Sequence, residues 1–337
     1  MGDVDRPDVV VVGGGAAGHA AVTTLLGEGF DGRVVLVHGE AGEPYLRTLV
    51  GKAILQGLLT AEQAALPVSP DVELVRAHAI GLDPARRAVV LADGRELTAA
   101  AVVLATGAVP RPGPAVDRVP ALAGADGGES RVVHLHTARD AERLRALLGP
   151  DPARRTVTVL GAGFVGSETA AWLAEVGATV HLVARSRLSL AGALGTAVAR
   201  AVAQRHEEHL DAHLGRRVEA VTEHPGGVTV RLAGGTTLES DLAAVAQGAH
   251  AARAVLRRLV GGPDPGPYVP DAGFTLVLHG AQAAGFGVAV PGATPEHRTL
   301  DGGGLLTELR VGGDLVAVVG LGATRELHAL RRDLRRP

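Results

Sequence analysis

The chain has 337 residues, 46% of them hydrophobic, and a formal net charge of −3. That length holds two or three domains, and the near-neutral balance speaks against nucleic acid or any other polyanion as a partner. Cysteine is absent, which excludes a redox disulfide, a catalytic thiol, a cysteine-bound iron–sulfur cluster and a thiolate zinc site on this chain.

The first element is an apolar strand, Val9–Val12, running straight into Gly13-Gly14-Gly15-Ala16-Ala17-Gly18 and then a helix over 16–28. This is a G-x-G-x-x-G turn between strand and helix. Gly13 allows the tight turn, Gly15 lets backbone approach a pyrophosphate, and Gly18 lets the helix pack on the sheet. The N–H groups around Ala16 and Ala17 would face the phosphates at the positive end of the helix dipole. A second strand is expected over 33–37. Glu40 follows about twenty residues after the last glycine, where an acid can bond a ribose hydroxyl.

Next comes Glu43-Pro44-Tyr45-Leu46-Arg47-Thr48-Leu49-Val50-Gly51-Lys52, which holds the only lysine of the chain. All other basic residues are Arg or His, so a lysine retained here points to a chemical role. Short alternating strands over 71–98 are interrupted by a hairpin signal at Ala92-Asp93-Gly94-Arg95. A buried strand over 101–105 ends in Ala105-Thr106-Gly107. Residues 111–128, rich in Pro and Gly, read as a linker. An amphipathic helix spans 138–148, with Ala141, Leu144, Leu147 and Leu148 on one face.

The second β-α-β unit begins at Thr156, and its glycine turn lies 148 residues after the first. Gly161-Ala162-Gly163-Phe164-Val165-Gly166 repeats the fingerprint, and the strand over 180–183 leads into Ala184-Arg185-Ser186-Arg187. No acid closes that strand. Arg185 and Arg187 would pair with a 2′-phosphate, so a cofactor bound here is expected to be NADPH rather than NADH. A helix over 193–210 and a small antiparallel set at 217–221, 227–232 and 236–238 follow. Residues 242–260 admit two readings, a last strand of the second unit or a helix. The alanine content and the spacing of Leu242, Val245, Ala249, Ala252 and Leu256 favour the helix. Residues 263–270 read as a second linker. The tail carries strands near 275–278, 285–290, 305–311 and 315–319, and a helix from Thr324.

Fourteen histidines raise the question of a metal. His206, His209 and His213 have spacings that would share a helix face, and His134 and His136 alternate on a strand. Neither group brings a carboxylate and a supporting shell, so no metal site is assigned. His297 reads as a loop residue. Ser167 and Ser189 lack the context of a hydrolase nucleophile.

Four stretches together resemble the FAD-dependent pyridine nucleotide–disulfide oxidoreductase superfamily, and within it the ferredoxin and rubredoxin reductases, which carry no redox disulfide. They are the first fingerprint with Glu40; the 43–52 segment, similar to P-Y-x-R-P-P-L-S-K; Val103–Arg111, similar to A-T-G-x-x-P-R; and Gly161–Glu168, similar to G-x-G-F-I-G-x-E. The tail from 268 is similar to the family's small C-terminal domain. The resemblance implies an α/β protein with two Rossmann-like three-layer domains, one inserted in the other, plus a small α+β domain. The FAD-type domain would comprise 1–112 and 242–262, the NAD(P)-type domain 113–241 and the C-terminal domain 263–337.

The resemblance also implies roles. FAD would sit on the first fingerprint and NADPH or NADH on the second. Lys52 would lie near flavin N5, paired with Glu168, and Arg47 would hold the cofactor or its loop. Electrons would pass to a ferredoxin-like protein or a small organic acceptor, in a cytoplasmic monomer or homodimer with no membrane partner. Two departures stand against this. From Leu238 onward the family's second FAD element, a strand ending in Gly-Asp, is not found; Gly313-Asp314 lies in a hairpin turn. The Pro-Pro-Leu-Ser of the flavin-side segment is replaced by Thr48-Leu49-Val50-Gly51. The alternative is therefore a repurposed member that has lost flavin cycling and serves as a nucleotide-binding or interaction module, or as a non-redox biosynthetic enzyme.

Overall fold

The computed structural model describes residues 6–109, 130–246, 273–287, 290 and 292–334. These fall into two compact units, with residues up to Val109 in the first and residues from 130 onward in the second.

The first unit opens with β1 (Val9–Val12), α1 (Ala16–Gly27) and β2 (Val34–His38), followed by β3 (Val72–Arg76), β4 (Ala79–Asp83), β5 (Ala88–Leu91), β6 (Glu96–Thr98) and β7 (Ala101–Leu104). β1, β2, β3 and β7 form a parallel sheet in the order β3-β2-β1-β7. β1 and β2 read as unbroken apolar runs because both faces are covered. Val9, Val11, Val34 and Leu36 pack with Ala21 and Val22 of α1. Val10, Val12, Val35 and Val37 turn the other way, against Val89, Leu91 and Ala99. Those last residues belong to the small antiparallel sheet β4-β5-β6 and its exit. Among the described residues, β3 and β7 are the edges of the parallel sheet, and Leu104 at the end of β7 is 39% exposed.

The second unit repeats the plan. It contains β8 (Val132–His134), α2 (Ala138–Leu148), β9 (Thr156–Leu160), α3 (Phe164–Glu175), β10 (Thr179–Ala184), α4 (Ala191–His209), β11 (Asp211–Leu214), β12 (Val218–His224), β13 (Gly227–Leu232), β14 (Thr237–Ser240) and β15 (Leu242–Val245). Helix α2 starts with a complete capping box between Thr137 and Asp140, which satisfies two backbone donors reciprocally. Its Ala141, Leu144 and Leu148 are buried, as their spacing requires. The parallel sheet has the order β11-β10-β9-β15-β8, and β12-β13-β14 cover one face through Val221, Val228, Val230 and Leu232.

The helix expected from residue 242 is corrected here. Leu242–Val245 is a strand between β9 and β8, with Leu242 beside Val157 and Ala243 beside Val132. These residues therefore belong to the second sheet and not to the first domain. All four are buried. A short apolar run buried on both faces carries no alternation to distinguish it from a helix. Residues 247–262, like both expected linkers, lie outside the described residues.

The tail builds an antiparallel sheet from β16 (Gly273–Leu278), β17 (Ala281–Gly287), β18 (Thr294–Thr299), β19 (Leu305–Val311) and β20 (Asp314–Leu321), in the order β16-β17-β20-β19-β18, with α5 (Thr324–Leu330) against it. β16 and β17 are joined by His279-Gly280, both at positive φ (45° and 70°), the geometry that suits a tight right-twisted hairpin. One face of this sheet shares a core with α3 and α4, through Leu276, Leu278, Val319 and Leu321 against Ala171, Leu194, Val198 and Val202. The other face packs Ala284, Leu306 and Val318 on Leu327 of α5. β18 was not expected: it is a fully exposed edge strand, and His297 lies on it rather than in a loop, with Nδ1 3.0 Å from Thr307 Oγ1.

Candidate functional site

The two glycine turns adopt nearly the same geometry. Gly13 sits at φ 114° and Gly161 at φ 112°, conformations that strain any residue with a Cβ. Each donates its N–H across the sheet at 2.8 Å, Gly13 to Val37 O and Gly161 to Val183 O. A Cβ on Gly18 would lie 1.8 Å from Gly13 O, and one on Gly166 would lie 1.7 Å from Gly161 O. These contacts are what hold each helix against its turn. The middle glycines differ in kind: a Cβ on Gly15 or Gly163 would meet nothing within 4 Å. Both are N-caps in extended conformation, and no side chain caps either helix. Each turn thus presents a concave backbone surface at a helix N-terminus with no acid in its first turn, which suits a pyrophosphate.

The surroundings of the two turns diverge. Ala16 and Ala17 are exposed and leave the first helix end open. At the second, the Phe164 ring lies 5.2 Å from that of Phe274, so β16 borders this helix end, and Val165 is half-buried beside it.

Glu40 lies two residues beyond β2. Its Oε2 accepts from Tyr45 Oη at 2.8 Å, and its Oε1 pairs with Arg47. The Arg47 guanidinium also lies 5.6 Å from the Tyr45 ring centroid. The 45–47 segment thereby fixes the carboxylate that the spacing assigns to a ribose. Each carboxylate oxygen keeps a further lone pair for a hydroxyl. Under the turn, His38 is 5% exposed and a Cβ on Gly14 would lie 2.5 Å from its Nδ1. Burial pushes the His38 imidazole below its ordinary pKa. Lys52 lies in a short π-helical turn, Val50–Ile54, and is half-buried. At the end of β7, Ala105 donates its N–H to Val12 O at 2.8 Å, while Thr106 and Gly107 are exposed.

Glu168 is 8% exposed on α3, and its Oε1 accepts the Val277 N–H of β16 at 3.0 Å. Lys52 belongs to the first unit and Glu168 to the second. Arg185 and Arg187 are both exposed beyond β10. Arg187 makes only a loose pair with Glu207, at 3.8 Å and with side chains 77% and 46% exposed. A small pocket beside the second turn is lined by Ala162, Ser167, Arg187, Ser189, His206 and Leu214. Neither Ser189 nor His206 carries a sequence signature of a site. His206 lies on α4, is 1% exposed and contacts His279 Nε2 through its Nδ1 at 3.0 Å, and nothing in its spacing signals that it lines this pocket. The shared helix face expected for His206, His209 and His213 does not form, because α4 ends at His209 and His213 lies on β11.

A family model described as pyridine nucleotide-disulphide oxidoreductase matches residues 7–261. The chain belongs to that family. A probable ferredoxin reductase of Castellaniella defragrans is 31% identical over 252 residues, 71% of this chain and 58% of the relative. Putidaredoxin reductase of Pseudomonas putida is 32% identical over 248 residues, 70% of this chain and 56% of the relative. The chain thus spans little more than half the length of these curated relatives. Among solved structures, a covalent putidaredoxin reductase–putidaredoxin complex matches with a TM-score of 0.82 at 22% identity, over 97% of this chain and 92% of that one. A ferredoxin reductase from Rhodopseudomonas palustris matches with a TM-score of 0.79 at 20% identity, over 97% and 94%. The chain shares their fold.

Proposed function

We propose that this protein is a flavoprotein oxidoreductase that takes electrons from NAD(P)H through FAD and delivers them to a ferredoxin-like protein or a small organic acceptor. The observation that carries the reading is the doubled cradle: two strand–glycine–helix turns, each open at its middle glycine. The names of the similar reductases support the choice of acceptor.

Flavin and pyridine nucleotide, when bound, supply hydride and electron transfer; the chain binds and orients them and excludes water. At the first turn, the backbone N–H groups of Gly15, Ala16 and Ala17 would hold the FAD pyrophosphate, and Glu40, fixed by Tyr45 and Arg47, would accept from the ribose. The Lys52 ammonium would favour an anionic reduced flavin. Thr106 and Gly107 would border the same cofactor. At the second turn, Gly161, Gly163, Phe164, Val165 and Gly166 would hold NADPH, with Arg185 and Arg187 on its 2′-phosphate. The loose Arg187–Glu207 pair leaves that guanidinium available at little cost, since exposed pairs are worth about 0–1 kcal/mol.

The deciding experiment is the visible spectrum of the purified protein, before and after anaerobic NADPH or NADH. A flavin band bleached by NADPH at lower concentration than NADH is the expected result. Equal affinity for the two nucleotides would overturn the cofactor assignment alone. No flavin band even after reconstitution with FAD would overturn the reductase reading and favour a repurposed member.

A further inference from the structure

The fold brings three metal-ligating side chains together at the edge of the second parallel sheet. β10 and β11 pair in parallel, with His181 beside Asp211 and Val183 beside His213. Asp211 and His213 are two residues apart on one strand and so project to the same face. His181 joins them from the neighbouring strand. His181 Nδ1 lies 2.6 Å from Asp211 Oδ2, and His213 Nε2 lies 3.1 Å from the same oxygen. The ligand atoms of all three lie within 4.8 Å of one another.

A plain hydrogen-bonded cluster accounts for only half of this. The His181–Asp211 contact is a good hydrogen bond. His213 Nε2 is shielded from solvent, yet it makes no aligned hydrogen bond despite its closeness to Oδ2. This ring nitrogen stands beside a carboxylate oxygen and a second imidazole nitrogen, all within 4.8 Å.

We propose that His181, Asp211 and His213 form a binding site for a divalent transition-metal ion of the zinc type, separate from both dinucleotide turns. Zinc bonds to imidazole and carboxylate are about 2.0–2.2 Å long, so neighbouring ligand atoms of a tetrahedral site stand about 3.3 Å apart. The two contacts to Oδ2, at 2.6 and 3.1 Å, need only small opening movements, and the Asp211 side chain is 54% exposed. Two nitrogens and one oxygen leave a fourth position for water. The ion would tie β11, a strand of four residues at the sheet edge, to β10. The role is structural: the metal would stabilise this edge and the end of α4 that leads into it.

The test uses the full chain, stripped with a chelator and dialysed into metal-free buffer. Zinc sulfate is added in slight excess, free ion is removed by gel filtration, and bound zinc is counted by mass spectrometry alongside the melting temperature. The wild type should retain about one zinc per chain and melt higher than its stripped form, because a ligand that binds only the native state stabilises it. D211N and H213Q should each lose more than about tenfold in zinc affinity, with stripped forms that melt like stripped wild type. Equal zinc retention in wild type and variants, or none in wild type, overturns the proposal. If either variant folds poorly, cobalt replaces zinc in the wild type alone. Intense visible bands of four-coordinate cobalt support the site, and the weak spectrum of hydrated cobalt overturns it.

Discussion

Replacing Glu168 with alanine separates two roles that one side chain has been given. Its carboxylate is buried and accepts the Val277 N–H at 3.0 Å, so it ties α3 to the first strand of the C-terminal sheet. In E168A the Val277 amide, on a half-exposed edge strand, loses this charged acceptor. A hydrogen bond to a charged group is worth about 1.5–3 kcal/mol. In a unit of about 150–250 residues, each kilocalorie shifts the midpoint by about 2–4 °C, so E168A should melt roughly 3–12 °C lower. E168Q keeps an amide oxygen at the same reach and should lose less than about 1 kcal/mol. Thermal unfolding followed by circular dichroism measures both. An E168A midpoint equal to wild type would refute the structural tie. E168Q then isolates the charge: near-native melting combined with slower flavin reduction would assign Glu168 a part in the chemistry.

Three further perturbations follow from the same geometry. K52M should slow reduction of bound flavin by NADPH on the order of a hundredfold in stopped-flow absorbance, with little change in melting; an unchanged rate removes Lys52 from the mechanism. G166A drives a Cβ to within 1.7 Å of Gly161 O, so it should cost about 3 kcal/mol or more, the upper end for overpacking, visible as a fall in the urea midpoint; a wild-type midpoint would show that the helix can draw back freely. Burial, with help from neighbouring cationic groups, pushes His206 down to about 3 and His279 to about 4. The unfolded chain binds these protons first, near pH 6.5, so stability is fully present above that pH and is lost as pH falls towards 4 and then 3. H206L should flatten the acid limb of a melting-temperature–pH profile, and an unaltered limb would deny His206 that role.

Much of the fold was legible in the sequence because two signals coincided at each Rossmann turn. Val9–Val12 is uniformly apolar and Thr156–Leu160 is entirely β-branched up to its final Leu, and each leads directly into glycines that the turn requires at positive φ or at close approach. Leu242–Val245 defeated the same reasoning because it has the apolar run without the glycines. Its place in the sheet comes from β8 and β9, which are far away in sequence, and nothing local records them. Thr294–Thr299 was missed for the opposite reason: every residue is exposed, so there is no apolar period to read, and Pro295 is tolerated only because the strand is an edge.

The site divides along the same line. Glu40 could be found by counting from Gly18, since the length of a β-α-β unit fixes where the second strand ends. The Tyr45 and Arg47 contacts that orient its carboxylate depend on how the chain folds back after that strand, and no spacing encodes them. The histidines show the limit most sharply. On one chain segment, His206, His209 and His213 have the right intervals for a helix face, yet the helix stops at His209. The residue that joins His213 is His181, from a strand thirty positions before Asp211, brought alongside by parallel register. Ligand spacing within a segment tests for sites built on one element. A site built across a parallel pair has no spacing rule, because the intervening helix sets the interval and the register sets the contact.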